Sequence, residues 1–311
     1  MELRKDYILD RWVIISETRG HRPKQFEKVT KTSEVACYFC PGNEETTPKE
    51  IGRVPQGKEW LIRWFPNKFP FVVAPEGRFS VKAGFLTHAQ AFGYHEVIVE
   101  TPEHGKQLAD LPVKHISMLL KVCSQRITEL SKRKNTKYVT VFKNHGQSAG
   151  TSIVHTHTQV ATLPMLPQAV AEEVKASTKS KKCLYCEIIQ KEKKSLRFID
   201  ENDSFISIAP YASRFNYEAW IFPKKHIGSI TEFSDKQYAD CAAALRNILV
   251  KLKQLNADYN FLLHYSPKGA GLHFHIEVLP RIALWGGFEL CSNIVINSVA
   301  PETAANFYRT P

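Results

Sequence analysis

Nowhere in these 311 residues does an apolar run approach the ~18 residues that a membrane-spanning helix requires, so no membrane partner is expected. The opening Met1-Glu2-Leu3-Arg4-Lys5-Asp6 lacks the apolar core of an export signal, and the expected location is cytoplasmic. Acidic residues are the scarcer sign, 31 against 42 Lys and Arg, for a net charge of +11. That excess suits nucleic acid and phosphorylated small substrates equally. The cations are scattered, apart from Lys132-Arg133-Lys134 and Lys179-Ser180-Lys181-Lys182, which read as solvated helix ends or linker. Charge therefore excludes little. The rest of the composition, 43% hydrophobic and 23% charged, is that of a soluble globular chain long enough for two domains.

Cysteine is sparse but ordered. Four of the seven form two Cys-x-x-Cys pairs, Cys37/Cys40 and Cys183/Cys186. Without an export signal such pairs point to metal ligands or redox centres rather than structural disulfides. Cys123, Cys241 and Cys291 read as buried small hydrophobes.

The chain repeats itself once. Each Cys-x-x-Cys is followed by a β-type run (Glu96 to Glu100, Ala219 to Phe222) and a Pro-containing turn with a histidine (His104, His226). An amphipathic helical pattern comes next (Val113 to Lys134, Asp235 to Asn256), and then a His-x-His strand, His155/His157 and His273/His275. Two copies of one α+β unit account for this order. The charged, apolar-poor stretch from Ala171 to Lys182 separates them, giving expected domains 1–167 and 168–311.

Each copy offers two thiolates, one turn histidine and the first histidine of His-x-His. Tetrahedral zinc in a closed structural site takes four such ligands, so two zinc sites are expected: Cys37, Cys40, His104, His155 and Cys183, Cys186, His226, His273. A redox role is disfavoured because neither pair opens a thioredoxin-like βαβ unit. A zinc-finger nucleic-acid reader is disfavoured too, because these ligands span more than a short helix and no nucleic-acid partner is then expected.

The chemistry concentrates in Asn144-His145-Gly146-Gln147-Ser148-Ala149-Gly150-Thr151-Ser152 and the following His155-Thr156-His157-Thr158-Gln159. On a strand, residues two apart share a face, so His155, His157 and Gln159 project together beyond a loop whose backbone N–H groups are candidates to cradle phosphate. If His155 holds metal, His157 remains as a nucleophile able to form a phosphoramidate. Its other nitrogen needs a fixed acceptor, for which a backbone carbonyl is the usual candidate. Gln159 cannot act as an acid but can donate to a phosphoryl oxygen as charge builds. A leaving group that departs without a proton, such as a phosphate, is favoured, and nucleotidyl transfer between phosphates is the expected reaction. In the second copy Glu277 replaces that glutamine, and its anion makes the copy a structural echo.

These motifs resemble the galactose-1-phosphate uridylyltransferase family, the transferase branch of the histidine-triad superfamily. The resemblance runs through Leu3-Arg4-Lys5-Asp6, Arg11-Trp12-Val13-Ile14, Arg19-Gly20-His21-Arg22-Pro23, Cys37 to Glu44, Phe65-Pro66-Asn67, His104, Asn144 to Gln159 and Gly286-Gly287-Phe288-Glu289. It implies an α+β fold of two tandem histidine-triad-like domains, each an antiparallel sheet with packed helices. It also implies double displacement, in which His157 takes a nucleotidyl group from UDP-glucose, expels the hexose 1-phosphate, and passes the group to galactose 1-phosphate. Residues implied to bind substrate are Arg19 and Arg22 at phosphate, Asn67 by the nucleoside, Asn144, Ser152 and Gln159 around the phosphates, and with them Phe65, Gly150 and Thr151. Phe288 and Glu289 approach the hexose, in a homodimer whose C-terminal segment reaches the neighbour's catalytic half. Thr156 stands where the family often has proline, and Lys68 where the uridylyltransferases carry aspartate. With the double metal pattern and Gly-Gly-Phe-Glu, this likeness extends to ADP-sugar or dinucleotide phosphorylases, the alternative reading.

Overall fold

The computed structural model describes residues 1–6, 12–15, 37–177 and 182–310. Arg19 and Arg22 lie outside the described residues. The chain divides into two compact units. The first comprises Met1–Lys106, Cys123–Val141 and Ser152–Glu172, and the second Gln107–Val122, Phe142–Thr151 and Glu173–Pro311. Among the described residues no helix is long and apolar enough to cross a membrane.

In chain order the first stretch contributes β1 (Glu2–Lys5), β2 (Trp12–Ile15), β3 (Gly52–Val54), β4 (Ile62–Pro66), β5 (Val81–Lys82), β6 (His88–Gln90) and β7 (His95–Val99). Helix α1 (Val113–Leu130), β8 (Tyr138–His145), β9 (His157–Leu163) and α2 (Gln168–Ser177) follow. The rest is α3 (Leu184–Glu192), β10 (Phe198–Glu201), β11 (Phe205–Ile208), β12 (Ala219–Pro223), α4 (Asp235–Gln254), β13 (Tyr259–His264), β14 (His275–Pro280), α5 (Gly287–Ser292) and α6 (Pro301–Arg309).

Within the first unit a small sheet runs β2-β1-β6-β5. A second, antiparallel set pairs β3 with β4, β4 with β7 and β7 with β9. The register of the last pair sets Val99 opposite His157 and Val97 opposite Gln159. Cys37, Phe39, Trp60, Phe65, Val97 and Val99 form a buried cluster on these strands, with Cys40 and Ile153 packed against it. Apolar burial thus carries the first Cys-x-x-Cys to the face of the sheet.

Antiparallel pairs also join β10–β11, β11–β12, β12–β14 and β13–β14 in the second unit. The repeat holds at the level of pairing. In each copy the strand before the turn histidine lies against the His-x-His strand, β7 on β9 and β12 on β14. Helix α4 starts at Ser234, whose side chain accepts from the Gln237 amide, and its lysines 251 and 253 fall in the last turn, where cations suit the helix dipole. Tyr238, Cys241, Leu245, Ile248, Leu249 and Leu252 recur at helical spacing and are buried. The architecture is the α+β arrangement of antiparallel sheets with packed helices that the motifs implied.

Residues 171–177 form the end of α2, where Gln168 donates to Glu172 one turn on. One expectation needs correction. Cys123 and Cys241 are buried, but Cys291 is exposed in the short α5, which buries none of its residues.

Candidate active site and metal centres

The four donors of each expected metal set come together. In both sets one ligand atom per residue lies within 4.8 Å of every other. In the first, His155 Nδ1 is 3.5 Å from Cys37 Sγ and 3.6 Å from Cys40 Sγ, and His104 Nδ1 is 3.5 Å from Cys40 Sγ. In the second, His273 Nδ1 is 3.9 Å from Cys183 Sγ and 3.4 Å from Cys186 Sγ, and His226 Nδ1 is 3.7 Å from Cys186 Sγ. Bonds of ~2.3 Å to sulfur and ~2.0–2.1 Å to nitrogen, at tetrahedral angles, separate S from N by about 3.6 Å. Both sets therefore have the dimensions of a tetrahedral metal site.

Protonation agrees. His155 Nε2 contacts the Thr101 carbonyl at 2.8 Å, and His273 Nε2 the Pro223 carbonyl at 2.9 Å. A carbonyl only accepts, so Nε2 carries the hydrogen and Nδ1 turns its lone pair to the sulfurs. Burial pulls the pKa of His155 down and that of His273 down to about 4, keeping both rings neutral. Burial, with the neighbouring thiolate, pushes Cys40 and Cys186 each up to about 11. A cation among the sulfurs opposes that shift. Among the described residues a third group, Glu173, His264 and His275, also brings metal-type donors within 4.8 Å. The repeat pattern did not point to it, since Glu173 and His264 have no motif around them.

His157 opens β9 and is 7% exposed. Its Nδ1 lies 2.9 Å from the carbonyl of His155, the acceptor that the sequence left unnamed. Nδ1 is thereby the protonated nitrogen and Nε2 carries the lone pair. Phe39 packs edge-on against the His157 ring at 5.4 Å and against Phe65 at 5.6 Å, so Phe65 backs the ring that lies beside His157. On the other side of the strand Thr156 and Thr158 both donate to the buried Glu100 carboxylate, at 2.5 and 2.6 Å. The residue between the two histidines thus points away from His157 and ties the strand from behind.

Gln159 is brought to Asn67 by a residue that the motif reading missed. His95 Nε2 is 3.0 Å from Gln159 Oε1 and 3.2 Å from Asn67 Nδ2, while Asn67 Oδ1 accepts from the Phe69 amide at 2.8 Å. The clue was a histidine and glutamate, His95-Glu96, at the head of an apolar strand that the pattern began one residue late. Behind it, Arg126 holds Glu96 through two buried bonds at 2.7 and 2.9 Å.

Asn144, Gly150 and Thr151 belong to the second unit and Ser152 to the first. Three amides of the loop expected to cradle phosphate have partners within the second unit. Ser148 N donates to Asp258 Oδ2 at 2.7 Å, Gly150 N to the Gln147 carbonyl and Thr151 N to the Gly146 carbonyl. Those three amides are engaged inside the fold. Phe288 and Glu289 stand on α5 in the second unit, where Phe288 is 54% exposed and Glu289 accepts from the Gly286 amide at 2.9 Å.

The second His-x-His is closed off. Where the first copy has Val97 and Val99, the second has Trp220 opposite Glu277 and Phe222 packed 5.4 Å from the His275 ring. Trp220 and Tyr185 cover the same ring at 5.8 and 5.0 Å, and His275 is fully buried. Glu277 is not the bare anion expected; it is paired with Arg214 at 2.6 Å.

The sequence profile of the galactose-1-phosphate uridyl transferase N-terminal domain matches residues 2–167, more than half of the chain. The chain belongs to the galactose-1-phosphate uridylyltransferase family. A profile of a domain of unknown function, DUF4921, also matches, over residues 87–307. The chain is 33% identical to the ADP-glucose phosphorylase of Arabidopsis thaliana, over 99% of this chain and 92% of that protein. It is 29% identical to the galactose-1-phosphate uridylyltransferase of Thermotoga maritima, over 99% of this chain and 98% of that one. A crystal structure of the A. thaliana ADP-glucose phosphorylase with bound ADP-glucose superposes with a TM-score of 0.79, at 31% identity, covering 100% of this chain and 99% of that one. Members of both named activities being this similar, the protein is a nucleotidyltransferase-type enzyme.

Proposed function

We propose that the protein is a UDP-glucose:hexose-1-phosphate uridylyltransferase that works by double displacement through a nucleotidyl-His157. The observation that carries this reading is the His155 carbonyl holding Nδ1–H of His157, which puts the lone pair on Nε2, with Gln159 two residues on along the same strand. Nε2 forms a bond to the α-phosphorus while the bond from that phosphorus to the hexose 1-phosphate oxygen breaks, and the electron pair leaves on a phosphate oxygen that needs no proton. Galactose 1-phosphate reverses the step and carries away the uridylyl group. Gln159 and Asn144 donate to phosphoryl oxygens, with Thr151 and Ser152 beside them and Gly150 in the loop. Arg19 and Arg22 contribute charge at phosphate, and Phe65 and Asn67 flank the nucleoside. The reacting residues fall in the half spanning 1–167. The half spanning 168–311 supplies Phe288 and Glu289 to the hexose of a neighbouring chain in a homodimer.

Zinc fits both four-ligand sets and, when bound, would supply folding energy rather than a reacting group, because four protein ligands close a tetrahedral site. The test of the function is donor and acceptor choice. Incubation with UDP-glucose alone should label the chain and release glucose 1-phosphate, and galactose 1-phosphate should then discharge it. Labelling by ADP-glucose and discharge by inorganic phosphate would instead establish the ADP-sugar phosphorylase reading, which Lys68 beside Asn67 and the A. thaliana relative favour.

Two further results are expected. Gln159→Ala should slow single-turnover labelling by roughly two to three orders of magnitude, the cost of one lost transition-state donor. Mixing inactive His157→Ala and Glu289→Ala chains should restore part of the exchange activity, since hybrid dimers contain one intact site. No recovery after proven subunit exchange would show that each site is built from a single chain.

A further inference from the structure

Three successive residues at the start of β13 each grip the loop that precedes His-x-His, although more than a hundred positions separate them in sequence. Asp258 Oδ2 accepts from the Ser148 amide at 2.7 Å. Tyr259 stacks on His145, with ring centroids 4.8 Å apart and planes 26° from parallel. Asn260 spends its amide group twice, donating to Asn144 Oδ1 at 2.9 Å and to the Ala149 carbonyl at 2.9 Å. The two ends of the loop are thus tied to one side chain, and its middle to another. The fit is close at Gly146, which has a φ of +82°, and a Cβ there would meet Asp258 Oδ1 at 1.7 Å. A glycine meets both demands, a left-handed backbone and no side chain beneath the carboxylate.

The geometry points to Asp258 and Asn260 as positioning residues for the phosphate-facing loop, acting through Ser148 and Asn144. The inference rests on the loop's assignment to phosphate under the proposed function. Its chemical content lies in the orientation of an amide. A carboxamide shows a carbonyl on one side and two N–H donors on the other. Because Asn260 can only donate to Asn144 Oδ1, the Asn144 NH2 group is the part left to point outward, and a phosphoryl oxygen accepts from it. A reversed Asn144 would offer its oxygen to that anion and repel it. The loop amides of Ser148, Gly150 and Thr151 are engaged within the fold, so the direction of this side chain matters more. The second copy, whose own His-x-His is covered by aromatic rings, here shapes the machinery of the first copy's motif.

The test compares Asn260→Ala, Asn260→Asp, Asp258→Ala, Asp258→Asn and Gly146→Ala with the wild type in two measurements. Native-state amide exchange of residues 144–150 reads the grip itself. Single-turnover labelling from a nucleotide sugar reads its consequence. Asn260→Ala should lower the labelling rate by about a hundredfold, as expected when a reacting group is misplaced by roughly an ångström. Most of that fall should lie in the rate constant rather than in donor affinity, because the lost donor meets charge that grows in the transition state. Asn260→Asp should be slower still, since a carboxylate draws the Asn144 NH2 group inward. Asp258→Asn keeps an acceptor for Ser148 and should retain the wild-type rate, whereas Asp258→Ala and Gly146→Ala should both speed loop exchange and slow labelling. In an Asn144→Ala background, Asn260→Ala should cost no more than about threefold, because the residues act as a unit. Equal losses in both backgrounds would overturn the inference, as would wild-type exchange in the loop of Asp258→Ala or a wild-type rate from a chain whose loop has loosened. If the wild type itself takes no label from any nucleotide sugar, the functional reading fails, and the exchange measurement still judges the grip.

Discussion

Replacing His157 with alanine should abolish covalent labelling and lower sugar-nucleotide exchange by about a millionfold, the scale on which other enzymes lose rate when a nucleophile is removed. The expectation follows from how few groups near His157 could replace it. His155, two residues earlier, turns Nδ1 toward Cys37 and Cys40 and donates from Nε2 to Thr101. Both its nitrogens are thereby engaged. Gln159 is a carboxamide and forms no stable ester or phosphoramidate. Thr156 and Thr158, the neighbouring hydroxyls, are committed to Glu100 on the far side of the strand. The measurement is rapid-quench labelling with a radiolabelled donor, backed by circular dichroism to show that the variant is folded. Full exchange activity in folded His157→Ala would rule out the covalent route and require direct transfer between two bound sugar phosphates.

Loss of the first four-ligand set should have the largest effect on stability. Cys37→Ser should leave the first unit unable to hold its fold, and chelation of the wild type should do the same more slowly. A structural zinc contributes on the order of 10 kcal/mol to folding, comparable to the whole stability of a domain, ~5–15 kcal/mol. The four ligands come from separate parts of the unit: a loop before β3, the turn after β7 and the approach to β9. Cys37 also lies inside the apolar cluster with Phe39, Trp60 and Phe65. A serine there leaves a buried hydroxyl where a thiolate and an apolar contact stood. Metal content and thermal unfolding of Cys37→Ser and Cys183→Ser, measured side by side, check the claim. Two metals in the wild type and one in each variant are expected. A Cys37→Ser chain with two metals and unchanged melting would refute it.

The two four-donor groupings and the place of His157 next to the first were legible in the sequence, because period-2 alternation and the Cys-x-x-Cys spacing are local patterns and the duplication wrote each of them twice. The helices at 113 and 235 were legible for the same reason, through apolar residues at helical spacing. Pairings that depend on strand register were not. Nothing near His95 announces that it will meet Gln159, 64 residues away, and Asn67 as well. Nor could spacing reveal that Glu100 would take both threonine hydroxyls, or that Arg214 would neutralise Glu277. The loop from Asn144 shows the limit of motif reading most plainly. Its glycines and polar residues suggested a backbone nest, but a carboxylate from outside the motif takes one of those amides and internal turns take two more.

One residue, His155, addresses the sulfurs with its ring and His157 with its carbonyl. A disturbance at Cys37, Cys40 or His104 therefore reaches Nε2 of His157 through a single peptide unit, with no chain of intermediaries to absorb it. If that carbonyl swings away, the proton of the neutral His157 ring is no longer held on Nδ1, and the imidazole is at liberty to become the tautomer that cannot attack phosphorus. Under the proposed mechanism, loosening of the scaffold and loss of the first displacement would therefore be one event at His155.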